Sequence, residues 1–383
     1  MRLRADRWLP LALIAVAAPT EAERPAPPST AEAPVAMLVD ASSGQTLFAR
    51  HADARFLPAS MTKAMTALVA FDLIHAGRLD EQAVVTVRPA TAARLSGKGT
   101  SLYLSANERI SIADLLRGIV TASANDASAV LAEAALGSEE AWHQAMNQRA
   151  RSLGMRGSRF ASAHGLPDGG KTHVTAADMA RLGQALVREH PELYQRYFRD
   201  KEMTWNGHRL FSRNPLSGVV AGADGIKTGH TREAGYTFLG SVVRDGRRLV
   251  LVVGKTPSEQ TRARASRDLV EWGFAAWDSR PFLAAGREVG RIKVQNGTAR
   301  EVPVTVPRDY SITVPSGTNP AVRVQILYSG PVRAPLAKGS PVATLEVQVE
   351  GQPAYHLPLL TTKSVAAAGP IDRIVNGLLG LWE

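Results

Sequence analysis

The spacing of apolar and polar positions changes three times along this chain. Val35–Asp40 is an apolar run that ends at Ala41, Ser42, Ser43 and Gly44, and alternation resumes over 45–49, the pattern of a β-hairpin. From 61 to 74 the apolar residues Met61, Met65, Leu68, Val69 and Ile74 recur at helical spacing and predict an amphipathic helix entered at Pro58. Ser111 followed by Asp114 is a capping signal, and Ile112, Leu115, Leu116, Ile119 and Val120 form the stripe of a second helix. After a polar break at 121–125, further helices are predicted at 126–136, 139–153 and 175–188. Strands at 236–243 and 248–253 flank the turn of Asp245 and Gly246, and a helix over 260–277 follows. Strands on both sides of a helical block predict an α+β fold with an antiparallel sheet.

Beyond 281 the helical spacing stops. Short strands at 288–294, 300–306, 311–314, 322–328 and 342–349, separated by Gly and Pro, predict a small all-β domain over 281–363. The main domain is then 35–280. Ahead of it, Arg2, Arg4 and Arg7, the apolar run 8–18 and small residues near 15–22 predict a secretory signal over 1–22, joined by a linker, 23–34. At the other end, 364–383 reads as a linker followed by an amphipathic helix. At 100° per residue, Ile371, Ile374, Val375, Leu378, Leu379, Leu381 and Trp382 fall on one side, with Asp372, Arg373, Asn376 and Glu383 on the other. Thirteen residues reach only about 20 Å, short of the roughly 30 Å of a bilayer core, so this helix suits a membrane surface rather than a span.

With 383 residues, the chain has room for two domains. It has no cysteine, which excludes disulfides, cysteine nucleophiles and thiolate metal sites. The net charge is +10; losing 1–22 would remove three Arg, Asp6 and Glu21 and leave +9. An exported basic protein suits anionic lipid and wall polymer. The arginines are scattered without a basic run, so nucleic acid is not an expected partner.

Three short segments carry candidate chemistry. In Ser60-Met61-Thr62-Lys63, serine and lysine three apart at a helix start share a face, so the Lys63 amine reaches the Ser60 hydroxyl. A lysine whose pKa is depressed by burial and neighbouring cations can take that proton, and the helix start favours negative charge on the oxygen. Ser123-Ala124-Asn125 falls at a break between helices, where Ser123 can relay a proton to a leaving amine and Asn125 can orient Lys63 or hold substrate backbone. Lys227-Thr228-Gly229 is expected to open a strand: Lys227 a cation for a terminal carboxylate or for Ser123, Thr228 a hydroxyl for that carboxylate, Gly229 room at the strand edge. The amides of Ser60 and His230 would make an oxyanion hole. Taken singly, each segment also fits an ordinary surface lysine, a helix cap or a polar strand.

In this order, the three segments form the signature of penicillin-binding proteins and class A β-lactamases. The chain resembles the low-molecular-mass D-alanyl-D-alanine carboxypeptidases of that group. The likeness also rests on Leu57-Pro58-Ala59, Asp126-Ala127, His164-Gly165-Leu166, Asp224-Gly225-Ile226, His230-Thr231 and Ala234-Gly235-Tyr236. It implies a penicillin-binding/β-lactamase-like catalytic domain, a β-rich C-terminal domain and an amphipathic membrane-binding helix. It also implies acylation of Ser60 by the penultimate D-Ala of a peptidoglycan stem peptide, inhibition by β-lactams, a periplasmic location on the outer face of the inner membrane, and a role for Arg213 near the carboxylate. Two features depart from or qualify the pattern: Ala124 stands where relatives often have Gly, and the loop 95–101 is Gly-rich. The rivals are a DD-endopeptidase, a weak β-lactamase and a non-catalytic morphology factor. Against the second, no Glu-x-x-Leu-Asn segment lies between the second and third motifs. No cofactor or metal is expected, since H-E-x-x-H is absent.

Overall fold

The computed structural model describes residues 26–29, 32–95 and 97–369. The signal-like segment 1–22, the amphipathic pattern over 371–383 and Ser96 lie outside the described residues. Among the described residues, no helix is long and apolar enough to cross a membrane.

The first pattern folds as expected: β1 (Val35–Asp40) and β2 (Thr46–Arg50) pair antiparallel, with Gly44 in the left-handed region at the turn. A 3₁₀ turn, Ala59–Met61, then leads into α1 (Thr62–His75). The expected stripe on this helix is a correction. α1 is buried on every side from Thr62 to Phe71, because the helices Asn125–Leu136, Glu139–Ser152 and Ala176–Glu189 and the strand Ala223–Thr231 surround it. Its polar residues Thr62, Lys63 and Thr66 are therefore inside the molecule, and Lys63 is not the solvated lysine of a surface helix.

β3 (Val84–Thr86), α2 (Pro89–Leu95) and β4 (Arg109–Ser111) form a small outer layer. Ser111 caps α3 (Ile112–Arg117), its hydroxyl accepting from the Asp114 amide at 3.0 Å. The second helix was expected to run to Val120. Instead it widens into a π turn, Gly118–Ala122, which ends at Ser123 with φ 62°. α4 (Asn125–Leu136), α5 (Glu139–Ser152) and α6 (Ala176–Glu189) follow; Ser138 and Thr175 cap the last two. α7 (Pro191–Phe198) was not anticipated, although Pro191 at its first turn is a start signal. The hairpin of β5 (Glu202–Trp205) and β6 (His208–Phe211) was also missed.

β7 (Ala223–Thr231), β8 (Gly235–Arg244) and β9 (Arg247–Thr256) join the first hairpin in an antiparallel sheet of order β2-β1-β9-β8-β7. β8 and β9 are buried along six consecutive positions each, which explains the unbroken apolar run Leu249–Val253 of β9; β8 buries Thr237 and Ser241 among its apolar residues. One face packs on α6, with α1 behind it; the other packs on α8 (Glu259–Ala275) through Leu38, Phe238, Leu249, Leu251 and Leu269. β7 is the edge strand that faces the Ala59–Met61 turn.

β10 (Trp277–Leu283) follows α8 and spans the boundary expected at 280/281. It pairs with β13 (Tyr310–Pro315). β11 (Gly290–Gln295), β12 (Glu301–Thr305), β14 (Val322–Leu327), β15 (Val332–Arg333), β16 (Pro341–Val349) and β17 (Tyr355–Thr361) form a second sheet of order β14-β16-β17-β12-β11-β15. Its core is separate, built on Ile292, Val302, Val304, Leu345, Val347 and Leu359. The two parts meet at Asp40, which is wholly buried. Its carboxylate accepts from Arg247 Nε at 2.8 Å and from Thr313 Oγ1, on β13, at 2.9 Å.

Candidate active site

Ser60 sits at the centre of the 3₁₀ turn, half-buried, where α1, β7 and the loop after Phe160 converge. The backbone around it is tightly packed. Ala59 has a positive φ of 48°, and a Cβ on Gly165 would stand 2.0 Å from the Ala59 carbonyl oxygen. A Cβ on Gly229 would stand 2.3 Å from the Pro58 carbonyl oxygen and 3.1 Å from the Met61 amide. Gly165 and Gly229 thus let two backbones approach the nucleophile turn closely.

Lys63 lies one turn below. Its Nζ is 3.0 Å from Ser60 Oγ, 2.7 Å from Asn125 Oδ1 and 2.7 Å from the His164 carbonyl oxygen. Three acceptors match the three N–H bonds of an ammonium. A neutral amine would keep the last two as acceptors and turn its lone pair to the serine hydroxyl. Burial, then the charge of Lys227, hold Lys63 well below an ordinary lysine pKa; Asp126 opposes them. His164, which supplies the carbonyl, has its own imidazole pushed down to about 3 by burial and then by Lys63, so it adds no positive charge.

Asn125 meets Lys63 directly, Lys227 acts on Lys63 by its charge, and Gly229 packs on the Ser60 turn. Ser123 occupies the left-handed corner after the π turn, and among the described residues its hydroxyl has no hydrogen-bond partner. Asn125 is the first residue of α4, not a loop residue, and its amide bridges Lys63 and the Lys98 carbonyl oxygen, 2.8 Å away. Lys227 does not open its strand but lies in the middle of β7. It is buried, its Nζ donates to the Thr228 carbonyl oxygen at 3.2 Å, and no hydrogen bond joins it to Ser123. Burial, then Arg213, then Arg262 lower its pKa to about 7. Arg213 itself is exposed just past β6, and His230 is exposed with its ring stacked 4.0 Å from that of Tyr236.

Sequence reading missed Arg262. It lies on α8, 2% exposed, with Nη2 on Glu259 Oε1 at 2.6 Å and its guanidinium carbon 5.7 Å from the Tyr236 ring centre. Its Nε is buried without a hydrogen-bond partner. The signal was available: Arg262, Ala265, Ser266, Leu269, Val270 and Gly273 share the buried helical face, and an arginine there is unusual. Beside the Ser60 turn, a cavity of about 240 Å³ is lined by Leu57, Pro58, Gly165, Leu166, Asp168 and Glu233 among others. The site thus has a nucleophile with an adjoining base, cations around Lys227, and a cavity beside the nucleophile turn.

Comparison with known proteins places these residues in a wider set. The family described as D-alanyl-D-alanine carboxypeptidase matches residues 20–257, and the penicillin-binding protein 5 C-terminal domain matches 277–367. The chain is 33% identical over 347 residues to D-alanyl-D-alanine carboxypeptidase DacA of Escherichia coli K12, covering 89% of this chain and 85% of that one. It is 32% identical to the DacA of Haemophilus influenzae, covering 90% and 88%. Among solved structures, penicillin binding protein 5 from Haemophilus influenzae superimposes with a TM-score of 0.76 at 31% identity, covering 89% of this chain and 99% of that one. Penicillin-binding protein D2 of Listeria monocytogenes, in an ampicillin-bound form, superimposes with a TM-score of 0.58 at 32% identity, covering 63% and 97%.

Proposed function

This chain belongs to the D-alanyl-D-alanine carboxypeptidase family, and from that membership we propose how its residues divide the work of a serine-type D-Ala-D-Ala carboxypeptidase. Neutral Lys63 takes the Ser60 proton as Oγ attacks the penultimate D-Ala carbonyl of a peptidoglycan stem peptide. The amides of Ser60 and His230 receive the oxyanion. The C–N bond then breaks, the proton passes by way of Ser123 to the leaving amine, and D-alanine departs. Lys227 and Thr228, assisted by Arg213, hold the terminal carboxylate until then; Gly229 keeps the strand edge open for the peptide. Water, deprotonated by Lys63, returns a hydroxyl to the carbonyl carbon and a proton to Oγ. A β-lactam enters by the same acylation and is held as the slow-leaving acyl-enzyme.

The observation that carries this reading is the Lys63 contact set: a buried amine of lowered pKa, 3.0 Å from Ser60 Oγ and fixed by two other acceptors. The test compares the mature protein with Ser60→Ala, using labelled penicillin and a peptide ending in D-Ala-D-Ala, read by mass spectrometry. Covalent label and D-alanine release are expected from the wild type alone. Label without release would reassign the site to an endopeptidase, and equal behaviour of the two proteins would refute the role of Ser60.

For the location we rely on the two ends of the sequence. We propose that residues 1–22 direct export to the periplasm and that 371–383 attach the chain to the outer face of the inner membrane through their seven apolar residues. Half-burying seven such side chains contributes several kcal/mol, about 1 kcal/mol each, enough for reversible attachment. The full chain should sediment with anionic vesicles and a chain ending at 369 should not; equal sedimentation of both would refute the anchor.

A further inference from the structure

The segment from Lys98 to Leu104 runs beside Ser123–Asp126, and one carboxylate draws it in. Asp126, the second residue of α4, is 3% exposed, and its oxygens are taken up by hydrogen bonds to the chain. Its Oδ1 accepts from the amides of Leu102 at 3.0 Å and Ala127 at 2.8 Å; its Oδ2 accepts from Ser101 Oγ at 2.5 Å and the Leu104 amide at 3.0 Å. Four donors thus fill the four acceptor positions of a carboxylate. The neighbouring positions continue the seam. Thr100 Oγ1 donates to the Ser123 carbonyl oxygen at 2.6 Å, the Asn125 amide to the Thr100 carbonyl oxygen at 2.8 Å, and Asn125 Nδ2 to the Lys98 carbonyl oxygen at 2.8 Å.

Two features show that the segment is drawn in rather than resting there. Tyr103, between the captured Leu102 and Leu104, is held at φ 60° with its ring mostly in solvent, a backbone state disfavoured for a tyrosine. Leu102 packs so closely on the π turn that a Cβ on Gly118 would stand 2.6 Å from its Cδ1. The consequence reaches the reacting atoms through Asn125, whose amide has one end on the Lys98 carbonyl oxygen and the other on Lys63 Nζ.

We infer that Asp126 is a positioning residue for the acylation of Ser60: it ties the 98–104 segment to the start of α4, so that Asn125 holds Lys63 on the serine hydroxyl. This inference rests on the Ser60–Lys63 reading above and adds a group that touches neither substrate nor serine. The same carboxylate is the anion that raises the Lys63 pKa, against the charge of Lys227 from β7 and the burial that lower it; the imidazole beside the His164 carbonyl is neutral.

The test uses the mature protein as wild type, Asp126→Asn, Ser101→Ala and Ser60→Ala. In Asp126→Asn an NH₂ group opposes the donors of the segment and the negative charge is lost. In Ser101→Ala one tether is lost and the charge stays. The readout is the rate constant of penicillin acylation per labelled site against pH, with the labelled fraction reporting folded protein. Asp126→Asn should acylate on the order of 10²-fold more slowly at the optimum, the scale expected when a catalytic group is displaced by about 1 Å. Its acid limb should also move to lower pH, because without the anion the Lys63 ammonium gives up its proton more readily. Ser101→Ala should slow acylation without moving the limb. An Asp126→Asn protein with a reduced labelled fraction but a wild-type rate constant and limb would overturn the inference. So would a limb moved equally by Ser101→Ala. Label on Ser60→Ala would instead overturn the underlying reading of the site.

Discussion

Two buried lysines set the electrostatics at the residue scale. Burial holds both amines toward the neutral form, helped by Lys227 at Lys63 and by Arg213 and Arg262 at Lys227, but their proposed tasks need opposite states: Lys63 must be neutral to act as a base, Lys227 charged to hold a carboxylate. Lys227 has a pKa of about 7, so its ammonium is lost as pH rises through that value. The expected outcome is a fall in kcat/KM for D-Ala-D-Ala peptides above pH 7, carried by KM. Lys227→Arg, which stays charged, should abolish that alkaline limb, and a limb that survives it would assign the titration elsewhere. Removing the third cause of the low value, as in Arg262→Gln, should move the limb upward. Ser60 and Lys63 were legible because three residues along a helix always share a face. Arg262 was not singled out, since its importance comes from Tyr236 and Lys227, which belong to distant strands.

The elements around the site act by how closely their backbones approach. β7 can lie on the Ser60 turn because Gly229 has no side chain, and the His164 carbonyl reaches Lys63 because Gly165, at φ +81°, fits against Ala59. Gly165→Ala combines overpacking with a left-handed backbone. It should destabilise by about 3 kcal/mol and lower Tm by roughly 10 °C, measured by calorimetry. Gly229→Ala should leave most of that stability but push β7 away from Ser60, slowing penicillin acylation on the order of 10²-fold in a stopped-flow assay. A wild-type acylation rate in Gly229→Ala would mean that the strand does not need this approach. The strands β8 and β9 and helices α4 to α6 were visible as patterns because burial repeats along them. The π turn and the short β3, β5 and β6 were not, because too few residues carry a period.

At the scale of the molecule, the catalytic part and the β-rich part are joined by polar contacts around Asp40. Besides Arg247 and Thr313, Asp40 accepts from the Ser42 amide at 2.8 Å; nearby, Ser43 Oγ meets Thr313 Oγ1 at 2.7 Å, and Arg308 donates to the Ser42 carbonyl oxygen at 3.2 Å. Asp40→Ala leaves the half-buried Arg247 without its carboxylate, though still on the Trp277 and Gly273 carbonyl oxygens, and should cost about 3 kcal/mol in chemical denaturation, with penicillin acylation per folded molecule unchanged. An unaltered midpoint would show that the two parts stand independently. From its patterns alone the sequence determined the α+β order, the β-rich second part and the three motif segments, because periodicity and spacing are local properties. Only the tertiary structure decided that α1 is buried on every side, that Lys227 lies in mid-strand under two arginines, and that Asp126 holds a loop against Asn125. Each depends on groups distant in the chain, and burial, charge and hydrogen bonding act through space.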